Sequence, residues 1–153
     1  MKIRFARDEN YAAIARMHRQ TIRNVNKNDY TPEVIKVWSG RTSAKRFRDS
    51  ANKCKRWVAL DGEKIIGFTD HPFYKCEIWG LYVHKDYIGK GVGNKLIKTV
   101  EKSLCKQGCK KIKVQSTITA KAFYQKQGYK LQKKSFDLIE NQKVTTYILS
   151  KKI

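Results

Sequence analysis

Residues 76–104 set three patterns end to end, and no other stretch restricts the fold as much. CEIWGLYV, 76–83, is rich in β-favouring residues and reads as a strand. YIGKGVGN, 87–94, then places Gly89, Gly91 and Gly93 at alternate positions. Behind them Leu96, Ile97, Val100 and Leu104 recur at helical spacing, and Gly108 suits the helix stop. A strand feeding a glycine-rich turn into a helix gathers unpaired first-turn N–H groups and the positive end of the helix dipole at one point. A pyrophosphate fits there, although the same glycines also suit a plain tight turn. The dinucleotide fingerprint GxGxxG fails, because Asn94 stands three residues beyond Gly91, and no GK[ST] follows for a Walker A loop. NAD and ATP are therefore not the expected ligands.

The flanking sequence alternates strand and helix patterns. KIRFA, 2–6, reads as a strand, and Asp8 suits the cap of a helix carrying Tyr11, Ile14, Met17, His18, Ile22 and Val25. Thr31-Pro32-Glu33 opens a second helix, and about Ser43 to Asn52 forms a third. Trp57–Leu60 and Ile65–Thr69 flank Asp61-Gly62-Glu63-Lys64 as a hairpin, since Asp-Gly supplies the positive φ of a tight turn. Lys111–Gln115 alternates as a strand, Thr119 suits the cap of AKAFYQKQ, and Gly128 closes that helix. Tyr129–Leu131, Phe136–Ile139 and Val144–Leu149 read as strands, with Glu140 to Lys143 as a turn. The order β-α-α-α-β-β-β-α-β-α-β-β predicts a mixed α+β sandwich rather than a doubly wound sheet. Its 153 residues, 41% hydrophobic, fit a single domain over 1–153.

The cysteines, Cys54, Cys76, Cys105 and Cys109, lack CxxC spacing, and His18, His71 and His84 are scattered, which predicts free thiols and no metal site. His71 and His84 read as surface or loop residues. No apolar run approaches the ~20 residues that span a bilayer, and MKIRFARDEN lacks a signal-peptide core, so a cytoplasmic protein without membrane association is expected.

Two motifs carry a family resemblance. The stretch ExxxLYVHKDY, Glu77 to Tyr87, leads into the glycine turn, and TxxAxxFYxxxGY, Thr117 to Tyr129, follows about thirty residues downstream. Both, in order, resemble the GNAT family of acetyl-CoA-dependent N-acetyltransferases, whose signature Gln/Arg-x-x-Gly-x-Gly/Ala has its last two elements at Gly91 and Gly93. The likeness is strongest over about 57 to 130. The first signature position falls on Ile88, and Lys85 replaces the family's common proline. The resemblance implies a GNAT-like fold: a central, mostly antiparallel twisted sheet flanked by helices, in a monomer or homodimer. It also implies acetyl-CoA as the acetyl-donor cosubstrate, no metal, and transfer to a primary amine by direct attack in a ternary complex.

By the same resemblance, Leu81, Tyr82 and Val83 lie on a splayed strand that pairs with the pantetheine arm. The backbone of Gly89, Lys90, Gly91, Val92, Gly93 and Asn94 cradles the phosphates, and Thr117 completes the coenzyme site. Tyr124 matches the tyrosine that protonates the departing thiolate; a phenol of pKa ~10 is protonated at neutral pH. Glu77 stands where several members carry a general base. By alternation it shares a face with Trp79, Leu81 and Val83, though a strand-end carboxylate reaching solvent fits equally. Trp38, Trp57, Phe73, Tyr74 and Trp79 read first as core, with Trp38 and Phe73 the leading candidates for an acceptor pocket.

Lys and Arg number 34 against 13 Asp and Glu, a formal net charge of +21 that predicts nonspecific polyanion affinity. From Arg23 to Arg56 ten basic residues face three acidic ones. A solvated face explains such a run. A positive rim beside an acceptor site would also disfavour polycationic acceptors and welcome acidic or phosphorylated ones. The alternative to an enzyme is a basic nucleic-acid-binding module on the same fold with a vestigial coenzyme site.

Overall fold

The computed structural model describes residues 1–153. Its elements are β1 (Lys2–Phe5), α1 (Tyr11–Asn24), α2 (Pro32–Arg41), α3 (Ala44–Ser50), β2 (Cys54–Asp61), β3 (Lys64–Pro72), β4 (Glu77–Ile78), β5 (Gly80–Val83), α4 (Val92–Lys106), β6 (Lys111–Thr117), α5 (Lys121–Lys126), β7 (Lys130–Ile139) and β8 (Gln142–Lys152). The strands form two four-stranded sheets, ordered β1-β2-β3-β5 and β4-β6-β8-β7. All pairs are antiparallel except β4 with β6. No helix is long and apolar enough to cross a membrane.

Alternation sends the first sheet's side chains to two helical layers. Val58, Leu60, Ile65 and Phe68 pack on Tyr11, Ile14 and Met17 of α1. On the opposite face Trp57, Ala59 and Ile66 contribute to the clusters that α4 enters with Val92, Leu96, Ile97, Val100 and Leu104. Thr31 caps α2, its hydroxyl accepting from the Val34 N–H at 3.3 Å, and Ser43 caps α3. The end of the chain is a long hairpin: the expected strands 129–131 and 136–139 merge into β7, bulged between Leu131 and Lys133, and Glu140 and Asn141 turn with φ of 47° and 66°.

The strand expected over 76–83 is instead two. Ile78 ends the part paired with β6, Gly80 begins the part paired with β3, and Trp79 lies between the sheets. Asp70 on β3 is the local cause. Its backbone carbonyl accepts from the Trp79 N–H at 3.0 Å and its buried carboxylate lies against Gly80, so the chain bends across it.

Three further expectations are corrected. Cys76 and Cys109 form a disulfide, leaving only Cys54 and Cys105 as free thiols. They stand just before the parallel strands β4 and β6, where Lys113 N–H reaches the Cys76 carbonyl at 3.0 Å, so pairing of the strands brings them together across 33 residues. His71 is fully buried on β3, its Nε2 2.8 Å from the Ser103 hydroxyl, whereas His84 does lie in a loop, as a turn cap accepting from the Asp86 N–H. Thr119 does not cap α5. Ala120 is the cap residue, and its N–H donates to Thr117 Oγ1 at 3.1 Å.

Candidate functional site

The break at Trp79 leaves β5 and β6 facing each other without pairing, and a cleft of about 350 Å³ opens between them. Leu81, Tyr82 and Val83 form one wall, and Val114, Gln115, Ser116 and Thr117 the other. His84 N–H donates to the Ile66 carbonyl at 2.8 Å. Antiparallel alternation then makes Tyr82 the next β5 residue bonded to β3 and turns the Leu81 and Val83 main chain toward the open edge. The Val83 carbonyl accordingly meets the Thr21 hydroxyl of α1, at 3.4 Å.

The mouth of the cleft is the glycine turn. Gly89 and Gly91 adopt φ of 79° and 86°, a region that other L-residues rarely enter. The first α4 backbone bond runs from Lys95 N–H to the Gly91 carbonyl at 3.2 Å, so the amides of Val92, Gly93 and Asn94 precede the helical ladder. Asn94 is fixed by Gln127, which donates to its Oδ1 at 2.8 Å, and Tyr87 ties the turn to the β2–β3 hairpin through Asp61 at 2.7 Å. Gly89, Gly91, Gly93 and Asn94 line the cleft; the Val92 side chain is core, and Lys90 Nζ sits 5.4 Å over the Tyr87 ring. Ile88 lines the cleft as well, half exposed and uncharged.

Tyr124 on α5 lines the far side, 3% exposed, and its hydroxyl makes no hydrogen bond within the chain. Burial, reinforced by Tyr82 and Asp70, pushes its phenol well above the usual range. Thr119, Asn26 and Asp29 bind one another across the cleft, Asn26 Nδ2 donating to Thr119 Oγ1 at 3.1 Å and that hydroxyl donating to Asp29 at 2.8 Å. Asn26 lines the cleft, and its buried Oδ1 has no partner. Tyr30 fastens the same loops, accepting from Ile118 N–H and donating to the Thr145 carbonyl, and burial pushes its phenol up to about 12. A slot between two strand edges, a bare helix N-terminus, an orphan carbonyl and a protonated phenol together fit an elongated ligand with amides, a thioester and a pyrophosphate.

Comparison with known proteins decides the family. The family model of the GNAT acetyltransferase domain matches residues 26–139. The chain belongs to the GNAT acetyltransferase family. The uncharacterized N-acetyltransferase YafP of Escherichia coli K12 is 27% identical over 100 residues, 65% of this chain and 61% of that protein, so the chain spans about three fifths of this curated relative. A GCN5-related N-acetyltransferase from Rhodopseudomonas palustris superimposes with TM-score 0.92 at 24% identity, over 99% of this chain and 95% of that one. PaiA N-acetyltransferase from Thermoplasma acidophilum, solved with coenzyme A, superimposes with TM-score 0.79 at 21% identity over 100% of both chains. The chain thus has the GNAT α+β fold, with two sheets flanked by helices.

Within this GNAT domain, Glu77 lies at the rim rather than in the cleft wall. The Trp79 indole donates to its Oε1 at 3.2 Å. Of the aromatics weighed for an acceptor pocket, Trp38 is core beside Ile22 and Val34, Phe73 lines no major cavity, and Trp79, 43% exposed, is the one at the site. Trp79 also borders a second cavity of about 420 Å³ formed by α1, the end of α2, α3 and β2. The sequence reading missed Thr21, Asn26 and Phe123 as cleft residues. Only Phe123 had a local signal, its place beside Tyr124 in the downstream motif; the other two reach the cleft from the end of α1.

Proposed function

We propose that this GNAT enzyme moves an acetyl group from acetyl-CoA to a primary amine by direct attack in a ternary complex. The observation that carries this reading is the unpaired β5 edge facing β6, with Tyr124 on one wall and the bare α4 amides at the mouth. Bound acetyl-CoA supplies the acetyl thioester. Val92, Gly93 and Asn94 N–H groups hold the pyrophosphate with the backbone of Gly89, Lys90 and Gly91, a duty the uncharged Ile88 leaves to main-chain donors. Leu81, Tyr82 and Val83 present the strand edge to the pantetheine arm, Thr117 closes the opposite wall, and Asn26 Oδ1 offers an acceptor to an amide N–H. The Leu81 N–H, on the unpaired edge of β5, would polarise the thioester carbonyl.

As the neutral amine attacks, the C–N bond forms, the C–S bond breaks and sulfur leaves as thiolate. Tyr124 gives its phenolic proton to that sulfur, and the proton shed by nitrogen returns through solvent to restore the phenol. The apolar walls raise both partners' proton affinities, so the transfer is less uphill than the shift of Tyr124 alone implies. Glu77 would take the amine proton through solvent from the rim.

Release of coenzyme thiol over a panel of primary amines tests the reading. Tyr124→Phe should lower kcat by about 10²-fold or more with little change in acetyl-CoA binding. Gly91→Asp, which puts a side chain and a negative charge at a positive-φ position, should abolish acetyl-CoA binding by calorimetry. Full turnover in Tyr124→Phe removes the acid role, and no turnover with any amine overturns the reaction.

A further inference from the structure

The second cavity adjoins the coenzyme cleft at one residue. Trp79 lines both, and His18, Arg41, Arg46, Asp49, Lys53 and Arg56 stand on the remaining wall. An acceptor lying there would reach its amine past Trp79 to the thioester while its other end meets α2 and α3.

The charges of this cavity are unbalanced. Arg56 is committed to the fold: Nε donates to Asp70 at 2.8 Å, Nη1 to the Phe47 carbonyl and Nη2 to the Ser50 hydroxyl, each at 2.9 Å. The lone carboxylate on the wall, Asp49, accepts from Lys45 at 2.6 Å. Arg41, Arg46 and Lys53 have no ion pair and no hydrogen-bonded acceptor. Arg41, exposed on one side, is partly desolvated and repelled by Arg46, which lowers its proton affinity against a weaker attraction to Asp137. His18 is neutral, because burial and then Arg41, Arg19 and Arg46 hold its imidazole down to about 3. Uncompensated guanidinium groups facing a cavity are relieved by a bound anion, and their planar forks suit carboxylate or phosphate oxygens.

We infer that the acceptor is a small primary amine bearing a carboxylate or phosphate group, its anion held by Arg41 and Arg46 and its nitrogen placed beside Trp79. The inference rests on the acetyl-transfer reading above and names its substrate class. A cavity of about 420 Å³ is of the size that holds a small molecule. The same field disfavours diamines and polycations, since like charges meet along the Arg41, Arg46 and Lys53 wall.

The test uses four amines of matched length: an ω-amino carboxylate, an aminoalkyl phosphate, an amino alcohol and a diamine. Thiol release should give a KM at least tenfold lower for one or both anionic amines than for the alcohol, with the diamine poorest. The carboxylate and phosphate arms tell the two anions apart. Arg41→Ala with Arg46→Ala should bring the ratio of anionic to neutral amine near one, and Arg46→Glu should shift preference toward the diamine. Lys102→Ala, on exposed α4 outside the cavity, should keep the preference and so exclude an effect of net charge alone. Calorimetry of the anionic amines with coenzyme A-loaded protein reads the cavity without turnover, and the double variant should weaken that Kd at least tenfold. Turnover without anionic preference, or binding unaffected by the double variant, overturns this inference and leaves the reaction standing; absence of turnover with every amine overturns the reaction itself.

Discussion

His18 packs edge-on against Phe47, Phe68 and Tyr82, with ring centroids 5.8, 5.7 and 4.3 Å away, and its Nδ1 is 3.3 Å from the Thr42 hydroxyl while Nε2 has no partner. It is neutral when folded and titrates normally when unfolded, so the unfolded chain binds the extra proton between pH 6.5 and about 3. Stability from this group is full above pH 6.5 and is lost as pH falls, at up to about 1.4 kcal/mol per pH unit. Urea unfolding should therefore show a shallower acid slope for His18→Gln than for wild type; equal slopes would show that the imidazole is not held neutral. In the sequence this histidine was one of a helix's inward positions and nothing more, because the rings that pack on it and two of the three arginines that repel it, Arg41 and Arg46, arrive from α2, α3 and the first sheet. Tyr124 was legible, since its motif fixes its place, whereas Asn26 had no local mark at all.

At the scale of elements, the turn before α4 works only because the helix start lies close against the first sheet. A Cβ on Gly67 of β3 would come within 2.9 Å of Leu96 Cδ1, 3.0 Å of the Tyr82 carbonyl and 3.1 Å of Val92 Cγ1. Gly67→Ala must move α4 or β5, so it should cost about 1–3 kcal/mol in thermal or urea unfolding and weaken acetyl-CoA binding, although Gly67 does not line the cleft. Unaltered coenzyme affinity in a destabilised variant would show that the α4 amides tolerate the shift. Periodicity predicted α4 and its stop well. It failed at 76–83, where an unbroken strand-like run hides the bend at Trp79, because the Asp70 groups that divide it lie on another strand.

For the whole molecule, a net charge of +21 over 153 residues is a repulsion that folding concentrates. Five ion pairs join Lys or Arg to carboxylates, and the one between Arg56 and Asp70 is deeply buried, so most of the excess stays on the surface, where salt screens it. Raising NaCl from about 0.02 M to about 0.3 M shortens the screening length roughly fourfold and should raise Tm; a flat or falling Tm would mean that screening of attractive pairs wins. The basic run from Arg23 to Arg56 likewise divides by place. Arg56 is a buried strut, Arg48 reaches Asp8 on the surface, and Arg41, Arg46 and Lys53 converge on the cavity beside Trp79.

The sequence alone misplaced the cap of α1, which is Asn10 rather than Asp8, and that of α5, but it determined the run of strands and helices apart from the bend at Trp79, the caps of α2 and α3, the stop of α4, the glycine turn and the two motifs that mark a GNAT acetyltransferase. All of these depend on neighbours a few residues apart, through dihedral preference, capping and the period of apolar burial. Only the tertiary structure decided that one strand becomes two, that Cys76 meets Cys109, that His71 and His18 are buried, and that three unpaired cations share a cavity with Trp79. Those outcomes depend on which strand edges pair and which helix covers which face, contacts between distant residues that local spacing does not encode.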